Sequence, residues 1–271
     1  MRINNNIEAI NSHRNLQNTS RGLAKAMERL SSGLRVNRAA DDAAGLAISE
    51  KLRSQVRGLN TAIKNAESGI SLIQTAEGAL NETHSILQRM RDLAVQAANG
   101  IYSTTDRGNL DKEFQQLISE VTRIAGQTEF NGLKLLDGSL CAGFTLQIGA
   151  NAGQVITVGI VTADSNALAI SALALTTIDA ASAAISSIDA AINTVSGIRA
   201  DLGAVQNRME HTITNLSVAS ENLAASESRI RDADMAQEMV EFTKLQILQQ
   251  SGTAMLAQAN TAPQAVLSLL R

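Results

Sequence analysis

Apolar residues step alternately by four and three through Leu52, Val56, Leu59, Ile63, Ala66, Ile70, Ile73, Leu80 and Leu87, with only Glu77 and His84 breaking the row. An α-helix turns once per 3.6 residues, so such a row forms a narrow stripe that must be covered by other helices. It predicts a long helix from about Ala44 to Ala98, roughly 80 Å at 1.5 Å per residue. Asn99-Gly100 stops it, because a glycine just past a helix end accepts the left-handed conformation. An earlier helix is expected over 3–34, with Ile3, Ile7 and Ile10 near one end and Leu23, Met27, Leu30 and Leu34 near the other. Ser31-Ser32-Gly33 weakens it locally, and the polar stretch 35–43 reads as an irregular connection.

A shorter helix is expected over 106–126, where Leu110, Phe114, Leu117, Val121 and Ile124 repeat the step and Asp106 can cap the start. Phe130-Asn131-Gly132 and Asp137-Gly138 signal turns, and Leu133–Leu136, Phe144–Ile148 and Val155–Val161 read as short strands. Helical spacing returns from about Thr177 through Ile185, Ile188, Ile192, Val195, Leu202, Val205, Met209, Ile213, Leu216, Leu223 and Ile230. It continues less cleanly through Met239, Leu245, Leu248 and Leu256.

Isolated helices of this length cannot hide their stripes, so the two ends of the chain must pair. The fold class expected is mainly α, a long antiparallel coiled-coil bundle of N- and C-terminal segments with a small β-hairpin region at about 130–165. Two domains are expected: a terminal helical one from 1–43 plus 230–271, and a rod of long helices from 44–177 plus 178–229. The terminal stripes are interrupted by Asn11, His13 and Arg14 at one end and by Gln249, Gln250, Ser251 and Gly252 at the other. Such segments are expected to gain order by packing on further copies.

Composition narrows the partners. The chain has 271 residues, net charge −3, 2% aromatics, no Trp and one Pro, at position 263. The acidic balance argues against general nucleic-acid binding, and Ala, Leu and Ile carry the apolar content, as long helices prefer. The N-terminal run Met1 to Asn6 has no Sec-type apolar core, and no run is long and apolar enough to span a membrane. Composition alone points to a soluble cytoplasmic helical protein and leaves open export by a route without a cleaved signal. Cys141 is the single cysteine and reads as an incidental small residue in a loop.

Catalytic and metal patterns are missing from the sequence. His13, His84 and His211 lie far apart, with no HExxH, cysteine pair or carboxylate-rich loop. Gly149 and Gly153 make no phosphate loop, and no GxSxG elbow is found. Asp41-Asp42, near Arg35 and Arg38, reads as an ion-pair network at a helix start. No cofactor and no enzyme activity are expected. What remains are surfaces. Arg89 and Leu93 stand at i and i+4 and are expected to be exposed on one face of the long helix, with Glu113 on the next helix. Residues alone favour a solvated face with ordinary charge pairs.

Several blocks resemble a known family. Leu30 to Asn37 (LSSGLRVN), Ala40 to Ile48 (ADDAAGLAI), Gln88 to Gly100 (QRMRDLAVQAANG), Gln127 to Gly132 (QTEFNG), Ser226 to Glu238 (SESRIRDADMAQE) and Gln264 to Arg271 (QAVLSLLR) are similar to the two ends of bacterial flagellins. The resemblance covers about 1–137 and 178–271. It implies an extracellular flagellar filament subunit for motility, exported unfolded through the flagellar type III apparatus. The terminal helices would form the inner tube wall, the rod the outer tube, and 138–177 a nearly absent outer insert with no room for the metallopeptidase that some members carry. Partners so implied are further copies of the chain, an export chaperone, the cap and hook-associated proteins, and host flagellin-sensing receptors. Arg89, Leu93 and Glu113 match the positions sensed by the flagellin-recognising Toll-like receptor. Leu267, Leu269 and Leu270 match the tail that assembly, the chaperone and cytosolic sensors are said to engage. Rival readings are a hook–filament junction protein of the same family, an enzyme with an unrecognised site and a cytoplasmic coiled-coil scaffold.

Overall fold

The structure is a computed structural model that describes the backbone over residues 6–269 and side chains over 6–261. Its helices are α1 (Ile7–Ser32), α2 (Ala43–Ala97), α3 (Thr104–Gln127), α4 (Ile178–Arg231) and α5 (Met235–Leu269). Between α3 and α4 lie the strands β1 (Glu129–Phe130), β2 (Leu133–Lys134), β3 (Phe144–Gln147) and β4 (Val155–Val158). The chain divides into two compact units, one holding residues up to Ser54 and from Glu221 on, the other Gln55–Ser220.

In the Gln55–Ser220 unit α2 and α4 run antiparallel. Ser220 donates to Asn60 Oδ1 at 3.0 Å, and Arg91 pairs with Asp189 at 2.7 Å much further along. The buried row on α2 is Leu59, Ala62, Ala66, Gly69, Ile73, Ala76, Leu80, Thr83, Leu87, Met90, Ala94 and Ala97. Five of these twelve, Leu59, Ala66, Ile73, Leu80 and Leu87, belong to the row expected from sequence. The other seven are small residues apart from Met90, and the expected Val56, Ile63, Ile70, Glu77 and His84 flank the row half-buried. On α4 the same displacement recurs: Ala181, Ala184, Ile188, Ala191, Val195, Ile198, Leu202 and Met209 are buried, while Ile185 and Ile192 stand beside the seam. Both buried rows mix small side chains with large ones, and the larger apolar residues beside them close the sides of the contact.

Serine 103, not Asp106, caps α3. Ser103 accepts from the Asp106 backbone N–H at 3.2 Å, and the Asp106 carboxylate accepts from Ser103 N–H at 3.1 Å, a reciprocal capping box. Asn131 and Gly132 both have positive φ (52° and 78°), the primed turn that suits the β1–β2 hairpin. β3 and β4 pair antiparallel with Phe144 opposite Val158, and both end sooner than the sequence suggests. Their hairpin sits on α2, where Asn65 donates to Gln147 O at 3.1 Å. Residues 162–175 have no element expected from sequence, yet Ala163, Leu168, Ile170 and Leu175 are buried, as is Ile160 just past the end of β4. Gln115 donates to Leu173 O at 2.8 Å, Leu175 N–H to Asp111 at 2.8 Å, and Thr122 to Ser165 at 2.7 Å, so α3 holds this segment down.

In the other unit α1 and α5 pair antiparallel. Asn6 donates to Ala259 O at 2.7 Å, and Arg29 meets Glu238 at 3.0 Å at the opposite end. The expected helix over 3–34 begins one turn later, with the Asn6 side chain accepting from Ala9 N–H; Ile3 lies outside the described residues. It stops at Gly33, whose φ of 70° makes it the left-handed cap. That role was expected of Gly100, which ends α2 without a positive φ. The two interruptions, α1–α2 and α4–α5, are stitched by an isolated bridge between Leu34 and Asp232. Arg35 N–H donates to Arg231 O at 2.7 Å and Ala233 N–H to Gly33 O at 2.9 Å. Val36 beside them is buried.

Candidate functional site

Arginine 89 and Glu113 form a bidentate ion pair at the surface, with Nε and Nη2 both donating to Glu113 Oε1 at 2.9 and 2.7 Å. Both side chains are about half exposed, so the pair fixes orientation more than it stabilises. Leu93, expected beside Arg89 in solvent, is 1% exposed and lies in the core. At 100° per residue the i,i+4 offset is about 40°, enough to carry Leu93 onto the buried row between Met90 and Ala97. The exposed apolar residue of this stretch is Val95, with Ile101 on the α2–α3 connection almost fully exposed. Below the patch the buried Arg107 donates to Ala97 O at 3.1 Å, placing a cation on the free carbonyls at the end of α2.

The Asp41-Asp42 pair does not form the expected network with Arg35 and Arg38. Asp41 accepts from Lys25 at 2.6 Å and from Arg38 N–H at 3.2 Å, while Asp42 accepts from Gly45 N–H at 2.8 Å and starts α2. The hydrogen bond from Lys25, with that from Arg38 N–H, holds the Asp41 carboxyl down to about 2. Arg38 pairs instead with Glu28 at 2.7 Å, and Arg35 donates to Ile230 O. The hydrogen bond from Asn37, then that from Arg38, lowers Glu28 as well. These contacts hold a connection in place. Among the described residues no three of His, Cys, Asp and Glu gather as a metal site, and no helix is long and apolar enough to cross a membrane.

The largest uncovered apolar surface belongs to α1 and α5. Their contact is a seam of small and medium residues: Ala9, Ser12, Leu16, Thr19, Leu23 and Ala26 on α1, and Phe242, Leu245, Gly252, Leu256 and Ala259 on α5. Gly22 and Gly252 lie against Leu245 and Leu16. Only Ala26 and Ala259 are buried within it, among the described residues. Of the large side chains expected in the stripes, Leu23, Leu245 and Leu256 lie in this seam, while Ile7, Ile10 and Met27 on α1 and Met239 and Leu248 on α5 are exposed, as are Met235, Val240, Ile247 and Met255. Residues Leu267 and Leu269 have no described side chains, and Leu270 lies outside the described residues altogether.

Residues 3–140 match the bacterial flagellin N-terminal helical region and 185–270 the bacterial flagellin C-terminal helical region. The chain is 57% identical to a flagellin of Halalkalibacterium halodurans and 51% identical to the flagellar filament 33 kDa core protein of Treponema phagedenis, covering all of itself and all of each relative. The crystal structure of Bacillus cereus flagellin is similar at a TM-score of 0.51 and 35% identity, over 60% of this chain and 94% of that one.

Proposed function

The chain belongs to the bacterial flagellins and is a structural subunit that polymerises into the extracellular flagellar filament for motility; from that premise we propose that α1 and α5 supply the contacts between copies. The observation that carries this is the distribution of large apolar side chains on α5. Met235, Met239, Val240, Ile247, Leu248 and Met255 are all exposed. At 100° per residue they spread over about 220° of the helix circumference, the part that α1 leaves open. A helix that is apolar around most of its girth belongs in an interior. One two-fold partner presents a single flat face and cannot cover such an arc. Several neighbours in a heterologous, non-closing arrangement can, and that gives an open helical tube.

On this reading residues 1–43 with 230–271 act as the inner-core domain, and 44–177 with 178–229 as the outer rod. Export without a Sec signal through the flagellar type III apparatus, and engagement by an export chaperone, the cap and hook-associated proteins, follow from the resemblance of the ends. Leu267, Leu269 and Leu270 are the tail residues assigned to assembly. Arg89 and Glu113 are the receptor-facing pair for a host Toll-like receptor, with Leu93 supporting them from beneath. Deleting about the last 20 residues tests the assembly assignment. The truncated subunit is expected to keep the melting transition of the Gln55–Ser220 unit and to fail to elongate filament seeds; filaments of normal length from it would refute the assignment.

A further inference from the structure

Six of the seven methionines lie among the described residues, and they divide without overlap. Met90 and Met209, in the Gln55–Ser220 unit, are 0% exposed. Met27, Met235, Met239 and Met255, all on α1 and α5, are 47–63% exposed. Met255 also lines an open groove of about 290 Å³ with Leu16, Leu248 and Gly252, where the two terminal helices meet. A thioether in the core is shielded from aqueous oxidants, while an exposed one is not.

We propose that these four methionines are a modification site, a set of sulfurs that hydroperoxides oxidise in the free subunit and that assembly shields. In each step the sulfur lone pair attacks one peroxide oxygen, the O–O bond breaks, and sulfoxide forms. The sulfur loses two electrons and hydrogen peroxide is reduced to water. The product replaces a flexible apolar side chain by one bearing a strong acceptor oxygen. In the free subunit that oxygen is solvated, and the α1–α5 seam does not contain it. Between copies it would be buried, and an acceptor buried without a donor is heavily penalised. Residues 245–269 of α5 carry no charged side chain, so the same stretch of a neighbouring copy brings no cationic donor, and its neutral donors, such as Gln246, Gln249 and Ser251, would have to leave their own partners or solvent to meet the oxygen. Oxidised copies are therefore refused at the growing end, and assembled copies are spared. The inference rests on the assembly reading above.

The test uses full-length subunit carrying Cys141→Ser, which removes the other exposed reactive sulfur. Monomer and preassembled filament are treated with hydrogen peroxide, sulfoxide is mapped at each methionine by mass spectrometry, and seeded elongation is followed. In the monomer Met27, Met235, Met239 and Met255 should oxidise roughly tenfold or more faster than Met90 and Met209, and in the filament this excess should vanish. Oxidised monomer should elongate roughly tenfold or more slowly, as expected for an unpaired buried acceptor, and methionine sulfoxide reductase should restore it. Replacing the four by leucine should make elongation indifferent to peroxide; if that variant fails to assemble untreated, reductase rescue of the parent decides. Oxidised monomer that elongates at the untreated rate, or equal oxidation of the four in filament and monomer, overturns the inference. Untreated parent that does not elongate at all would strike the assembly reading instead.

Discussion

Leu93 and Arg89 stand one helical turn apart on α2, yet one is in the core and the other in solvent. A sequence block can match a family position by position without revealing which of its side chains points inward. Leu93→Ala is therefore expected to destabilise the Gln55–Ser220 unit by about 2–5 kcal/mol. Arg89→Ala is expected to cost under about 1 kcal/mol, since its pair with Glu113 is half exposed. Denaturant unfolding of the two variants measures the difference, and receptor signalling compared at equal folded fraction then isolates the part Arg89 plays. Changing both residues together would confuse the two effects. Asp41 offers a residue with a pH signature. Its ordinary value is 3.8 and the folded chain holds it at about 2, so the folded state binds fewer protons than the unfolded one between those values. Its contribution is fully present above the ordinary value and is lost as pH falls through the window toward 2. Amide protection over 33–42, taken relative to the intrinsic exchange rate at each pH, should fall across that window in the parent and much less in Asp41→Asn; an equal fall in both would remove Asp41 as the cause.

At the scale of elements, the helical stretches and their order were readable from the three-four spacing. The ends of α1, α2 and α3 and the start of α4 were located within a few residues, but the break between α4 and α5 was not. Nor was the rotation of the stripes readable. Large apolar residues dominate any reading of a pattern, whereas the buried rows of α2 and α4 also take in Ala62, Gly69, Ala76, Ala184 and Ala191, which carry little apolar area. Residues 162–175 were illegible for a different reason. They form no regular element, so no period announces that Leu168, Ile170 and Leu175 are buried. Gly69 shows what the small row is for. A Cβ there would stand 2.5 Å from Leu146 Cδ1 and 3.1 Å from Met209 Cε, between the β3–β4 hairpin and α4. Gly69→Ala should cost about 1–3 kcal/mol through overpacking. Gly78→Ala, on the same helix with nothing within 4 Å of its Cβ, should stabilise by up to about 1 kcal/mol. Thermal unfolding of the pair checks the contrast, and equal shifts would deny Gly69 its packing role.

For the whole molecule, the pairing of the two ends was legible, because a helix with an uncovered stripe needs a partner. What the pattern concealed is that α1 and α5 cover only one narrow seam of each other and keep Ile7, Ile10, Met27, Val240 and Ile247 outward. The Gln55–Ser220 unit, in contrast, turns Phe114, Leu80, Leu135 and Ile170 fully inward. One unit thus completes its core alone and the other leaves it to be completed, a division that suits a subunit stable before assembly and committed only within a polymer. The most direct measurement is seeded elongation by a subunit carrying Val240→Gln and Ile247→Gln, two side chains that are exposed and lie outside the α1–α5 seam. The account predicts unchanged unfolding of the free subunit and a loss of elongation; filaments growing at the parental rate would contradict it.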